Sequence, residues 1–189
     1  MSSSTDINLL KDKFGDAVVD TVEFRGEHTV CVRLDSLHDV LTHARKELGY
    51  DFLLDISSLD HFGEDPRFEM VYELATVDDT KHLRVRSKVG EEEKVASATD
   101  LWAGADWHER EVYDMMGIGF TGHPNLKRIL MWEGYPFYPL RKDFPLAGRP
   151  SEMPEVAFTG VAPLEGGPFV TAPGSADVAK REPRSREMD

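Results

Sequence analysis

Two rhythms of apolar and polar positions run through the first 117 residues, and neither survives beyond them. Leu9, Leu10 and Phe14 fall on one side of a helix predicted over Asp6–Phe14, which Gly15 ends. The stretches AVVDTVEF and HTVCVRL alternate with a period of two on either side of RGE, the pattern of a β-hairpin. Leu37, Val40, Leu41, Ala44 and Leu48 then recur at helical spacing, so a second helix is predicted from a cap at Asp35 or Ser36 to about Leu48, stopped by Gly49. DFLLDISSLD, RFEMVYELAT and HLRVRSKV read as three strands joined by turn formers in HFGEDP and VDDTK. The last two alternate as a sheet with one wet face requires. Ala96–Trp102 and Asp106–Met116 read as a short and a longer helical segment. Helix, hairpin, helix, three-stranded meander and helix predict an α+β fold: an antiparallel or mixed sheet with helices packed on it.

From Gly117 onward no period holds. Pro136, Pro139 and Pro145 break any helix or central strand. Yet Ile129, Leu130, Met131, Trp132, Tyr135, Phe137, Tyr138 and Phe144 are too apolar for a solvated linker, so this arm must lie against a surface, its own domain's or a partner's. Ten of the 11 prolines stand at or after Pro124. Past Arg149 scattered anchors, Met153, Val156, Phe158, Leu164 and Phe169, are separated by proline and glycine, too thin for a core of their own. Extended, that tail reaches on the order of 100 Å along another protein, and its last dozen residues read as disordered. Three parts are therefore predicted: an α+β domain over 1–117, an irregular Pro/Gly-rich arm over 118–149, and an extended or disordered tail over 150–189.

Composition narrows the function. Apolar content of 40% with 30% charged residues describes a soluble globular chain. No run approaches the roughly 20 apolar residues of a membrane helix. The N-terminus lacks a basic-then-apolar export pattern, so the cytosol is the expected compartment. A net charge of −13 repels nucleic acid. The charge is uneven: residues 1–122 carry 13 basic and 26 acidic side chains, whereas 123–148 carry four against two. Cys31 is the only cysteine and is expected to be a small buried strand residue. One thiolate holds neither an iron–sulfur cluster nor a structural zinc.

The densest concentration of chemistry is ADWHEREVYDMMG, residues 105–117. A zinc-protease helix needs HExxH, and the position one turn after His108 is Val112, so the second ligand is missing. Glu111 and Asp114 would bind a divalent ion only loosely. The reading that remains is a charged helix face, solvated or docked on basic partner groups, with Arg110 paired to Asp106 or Asp114. There is no GxSxG, no Walker A loop, no GxGxxG after a strand and no HxxxH pair. Asp55, Asp60 and His61 read as surface groups at a strand end. Lys127-Arg128 and Arg141-Lys142 could grip a phosphate or anionic lipid, but so few cations are read rather as partners for carboxylates of a neighbour.

The stretch from Trp107 to Leu146 nevertheless resembles a known signature. Glu109-Arg110-Glu111 with Asp114, Gly117-Ile118, Phe120, His123-Pro124, Leu126, Arg128-Ile129-Leu130, and Pro139-Leu140-Arg141-Lys142-Asp143 with Pro145-Leu146 match the 30-kilodalton-type, or C-type, subunit family of NADH-quinone oxidoreductase, respiratory complex I. The order of elements ahead of it is similar too. WEGYPFY departs from the acidic-Trp-Glu-Gly-His pattern usual in the family. The resemblance implies a structural subunit without an active site, cofactor or metal of its own. FMN, iron–sulfur clusters, NADH and quinone are held by other subunits. It implies packing on the 49-kilodalton-type subunit and other peripheral-arm subunits, near the quinone site, in a complex that translocates protons. The place implied is peripheral, at the cytoplasmic side of a bacterial inner membrane, with membrane association indirect. Glu109, Arg110, Glu111, Asp114, His123, Pro124, Lys127, Arg128, Pro139, Arg141, Lys142 and Asp143 are the signature and candidate interface residues. Glu109, Glu111 and Asp114 are expected to bond partner arginines or local backbone, and Lys127, Arg128, Arg141 and Lys142 to meet partner carboxylates. The alternatives are the equivalent subunit of an energy-converting nickel–iron hydrogenase or related redox complex, a metal-dependent hydrolase using Glu109, Glu111 and Asp114, and a free adaptor.

Overall fold

The computed structural model describes residues 3–78 and 80–145. Helix α1 (Ser3–Phe14) leads into strands β1 (Val18–Phe24) and β2 (Glu27–Val32), then α2 (Leu37–Lys46). Strands β3 (Phe52–Asp60), β4 (Phe68–Ala75) and β5 (His82–Val89) follow, and then β6 (Lys94–Ala96), α3 (Ala105–Met116) and β7 (Gly119–Thr121). The large sheet has the order β1-β2-β5-β4-β3, antiparallel throughout except where β2 runs parallel to β5. The α+β class and the mixed sheet are as the sequence predicts.

The hairpin forms because Arg25 at φ +53° and Gly26 at φ +82° give both turn residues left-handed backbone, the two-residue geometry that matches strand twist. Which hairpin strand joins the meander follows from side chains. β2 buries Thr29, Val30 and Val32, whereas no residue of β1 is buried, so β2 takes the interior place and β1 the edge.

Register divides the sheet's two faces. Phe68, Met70, Tyr72 and Leu74 stand beside Val89, Ser87, Val85 and Leu83 on one face. That face carries the core, joined by Ile7 and Leu10 of α1, Leu37, Val40, Leu41 and Ala44 of α2, and Val112, Met115 and Met116 of α3. The other face is the wet one, a ladder of charges. Arg86 donates to Glu69 at 2.5 Å, His61 Nε2 lies 2.9 Å from the same carboxylate, and Arg84 pairs with Glu73 and with Glu27. Burial pushes the Glu69 carboxyl up, but His61 and Arg86 outweigh it and hold it below its usual value.

Five local expectations are corrected. α1 turns Ile7 and Leu10 inward and leaves Leu9 exposed. Ser36 stands at the N-cap of α2 but makes no side-chain capping bond: its hydroxyl goes to Asp35, which also bonds Arg33, and a 3-10 turn over Leu34–Ser36 leads into the helix. α2 ends at Lys46, two residues short of Leu48. Ala96–Trp102 is not helical, because β6 pairs in parallel with β7 and the following residues form turns. Cys31 lies on the wet face beside Arg86 and is half-buried, with burial pushing its thiol up. Irregularities at Val18/Asp20 and Leu53/Asp55 also leave Val19 and Leu54 turned outward, which simple alternation does not foresee.

Leu41→Ala, at a fully buried position, is expected to cost about 2–5 kcal/mol, and Val19→Thr on the exposed bulge less than about 0.5 kcal/mol. Urea unfolding of the two variants reads the difference.

Candidate functional site

Helix α3 sends two carboxylates inward, five residues apart and so onto different sides. Asp114 is fully buried. Its Oδ2 accepts the backbone N–H groups of Ile129, Leu130 and Met131 at 2.9, 2.7 and 2.9 Å, and its Oδ1 accepts Arg128 Nη1 at 2.6 Å. Burial pushes this carboxyl up, but the Met131, Leu130 and Ile129 amides and the Arg128 guanidinium prevail and hold it below the usual range. Glu109, equally buried, accepts the Ala98 N–H at 2.6 Å and the Ser97 hydroxyl at 2.7 Å, which fixes the non-helical turn after β6. Burial pushes its carboxyl up, against the pull of those two bonds. His123 Nδ1 accepts the Asn125 N–H at 3.0 Å, which leaves the ring proton to Nε2, 3.2 Å from the Asp106 carbonyl.

The last four carbonyls of a helix lack partners within it. In α3 all four are met by residues that follow. Gly117 N–H donates to Tyr113 at 3.0 Å, Arg128 Nη1 to Asp114 at 2.9 Å, Leu140 N–H to Met115 at 3.1 Å, and Arg141 Nε to Met116 at 2.6 Å. Two guanidinium groups thus sit at the negative end of the helix dipole. Arg141 also stacks on Tyr138 and Phe68, 4.4 and 5.0 Å from the ring centroids. Gly117 is left-handed at φ +75°, and a Cβ there would meet Arg141 Nη2 at 2.6 Å and the Tyr138 ring at 2.7 Å. No other residue type fits without displacing both.

The far end of the arm is tied to the sheet. Buried Asp60 accepts two bonds from Arg67, at 2.8 and 2.9 Å, and the Lys142 N–H at 2.8 Å. Arg67 reaches on to Asp143 at 2.8 Å and Glu91 at 2.5 Å. Arg67 holds the Asp60 carboxyl below its usual value. Between the two anchors Trp132, Tyr135, Phe137 and Phe144 form a chain of ring contacts 5.7–6.1 Å apart.

The signature residues therefore meet mostly one another. Arg110 pairs with neither Asp106 nor Asp114; its Nε donates to the Lys127 carbonyl at 3.1 Å and its guanidinium covers Trp107 at 4.9 Å. Asp114 is taken by Arg128, a closer cation delivered by the arm. The helix face expected to be solvated or docked is thus half interior: Glu109 and Asp114 are enclosed, while Glu111 is exposed. Arg128 and Arg141 are engaged within the chain, and Lys142 is held through its backbone. Lys127, Pro124, Leu130 and Leu140 face outward, and Pro139 is half-buried. Asp60, read as a surface group, is a buried anchor, and its partner Arg67 carries no signal along the chain that marks it as one. Leu146 and the tail 150–189 lie outside the described residues. Among the described residues no three His, Cys, Asp or Glu side chains gather to hold a metal ion. Glu109 and Asp114 have their oxygens filled by amide, hydroxyl and guanidinium donors.

A model of the family described as respiratory-chain NADH dehydrogenase, 30 Kd subunit, matches residues 30–150, from β2 through the arm. The chain belongs to that family. Among its relatives, the C-type subunit of NADH-quinone oxidoreductase from Citrifermentans bemidjiense is 46% identical over 140 residues, covering 74% of this chain and 87% of the relative. The corresponding protein of a Roseiflexus species is 43% identical over 164 residues, covering 84% and 90%. The fold is similar to that of a chain in the archaeal membrane-bound sulfane sulfur reductase, at a TM-score of 0.65 and 22% identity, over 76% of this chain and 86% of that one. In this member of the 30-kilodalton family, Asp114, Arg128 and Arg141 strap the arm to α3.

Asp114→Ala is expected to cost about 3–5 kcal/mol, because it leaves Arg128 and three amides without their acceptor. Asp60 and Asp114 both have depressed carboxyl values, so their stabilisation is complete above an unfolded value of about 3.9 and is lost as pH falls through the lower folded values. Urea unfolding across acid pH should therefore show a shallower acid limb in Asp114→Asn. Gly117→Ala should destabilise by more than the roughly 1 kcal/mol of a left-handed backbone alone, since Arg141 and Tyr138 must also move; thermal melts measure it.

Proposed function

We propose that the protein acts as a non-catalytic member of the peripheral arm of a proton-translocating NADH-quinone oxidoreductase, packed on the 49-kilodalton-type subunit near the quinone site. Its contribution is a fixed shape: electron transfer from NADH to quinone depends on constant separations between centres carried by other chains, which also hold the FMN, clusters, NADH and quinone. One observation supports this above all. The ionisable groups at the junction of α3 and the arm are engaged within the chain: Asp114, Arg128 and Arg141 bind arm to helix, and Glu109 fixes the turn after β6 inside the domain.

In this reading residues 1–117 are the scaffold, 118–149 the docking arm, and 150–189 an extension along neighbouring subunits. Lys127 and Glu111 meet partner charges, and Arg128, Arg141 and Asp143 serve the interface by holding the arm in place. Association with the membrane is indirect, through the complex, on its cytoplasmic side; among the described residues no helix is long and apolar enough to cross a membrane.

Deleting the gene should abolish NADH:quinone activity in membranes and shift the complex to a smaller species on blue-native gels, and the wild-type chain should restore both. The purified chain alone should show no turnover. Full activity and an unshifted complex after deletion would overturn the proposal.

A further inference from the structure

Once the internally engaged groups are set aside, an ordered outer side of α3 remains. Trp107 is 62% exposed, and Leu130 and Leu140 are each 61% exposed. Their backbone contacts place them in sequence along the helix. Arg110 bonds the Lys127 carbonyl, Asp114 bonds the Leu130 amide, and Met115 accepts the Leu140 amide. Trp107 and Asp114 are seven residues apart, about 10 Å along the axis. Lys127 flanks this side on the arm edge, and Glu111, one turn beyond Trp107, flanks it on the other. Both are exposed.

Resting on the subunit reading above, we infer that this outer side of α3 is the docking surface, and that its occupant is a different protein chain presenting an apolar slot for Trp107 between an anion facing Lys127 and a cation facing Glu111. Three features carry this. Trp107 is oriented in advance by Arg110, itself held by the Lys127 carbonyl, so little freedom is lost on docking. A tryptophan stacked on an arginine is the composition in which binding energy concentrates. The two opposite charges astride it fix orientation and reject a partner of uniform sign. A second copy is the poorer occupant, because each chain carries −13 and the bodies repel.

The test uses the full chain in membranes, with photoreactive benzoylphenylalanine placed at position 107 or, as control, at exposed Val77 on the β4–β5 loop. Position 107 should crosslink to another chain of the complex, at a segment carrying apolar side chains with both an acidic and a basic residue, and position 77 should not reach that segment. Lys127→Glu and Glu111→Lys should each lower retention in the complex about tenfold or more while the isolated variants melt as wild type. Crosslinking only to a second copy, crosslinking only to residues 146–189 of the same chain, or no crosslink in a chain that still co-migrates overturns the inference. So does tighter retention of Glu111→Lys. Failure of the unaltered chain to co-migrate at all is a different result, which removes the subunit reading itself.

Discussion

The arm exists as a structure because Asp114 is a charge that the interior will not accept alone. A buried carboxylate needs donors in number, and here they are three consecutive backbone amides and a guanidinium, all supplied by residues 128–131. The penalty for leaving that site unfilled is what binds a segment with no regular secondary structure of its own. Asp60 does the same at the other end, gathering Arg67 and the Lys142 amide, and Arg67 extends the tie to Asp143. Two buried carboxylates therefore decide where the irregular residues 128–143 run.

The same bonds finish the helix. α3 ends at a left-handed glycine, and its last carbonyls are met by Gly117 and by the returning arm. Because helix and arm satisfy each other, neither can shift without exposing unpaired groups of both. The charged ladder on the other sheet face acts differently: around buried Glu69 its members Arg84, Arg86, Glu73 and Glu27 keep part of their solvent, and it covers the sheet with polar groups rather than locking a segment in place.

The arm also changes what a partner can meet. Signature cations that look available along the chain are turned toward its own helix end, and the outward surface is left to Trp107, Leu130, Leu140 and the flanking Lys127 and Glu111. The signature thus divides: Asp114, Arg128 and Arg141 hold the arm, while Glu111, Lys127, Leu130 and Leu140 face outward.

Sequence alone determined most elements of the domain, though not β6 or β7, and its family. Period two and period 3.6 are local properties, written by side chains that must each face one core, so the hairpin, α2, the meander and α3 were legible, as was the break after Gly117. The resemblance over Trp107–Leu146 was legible because many spaced residues agreed at once. Tertiary structure alone decided the rest. That β2 rather than β1 meets β5 depends on relative burial, that Ala96–Trp102 is not helical depends on Glu109 reaching its amide and hydroxyl, and that Asp114 belongs to Arg128 rather than Arg110 depends on a chain returning from 14 residues away. Each of these is a competition for one partner among groups distant in sequence, and the winner is set by which group the fold brings within about 3 Å with water excluded.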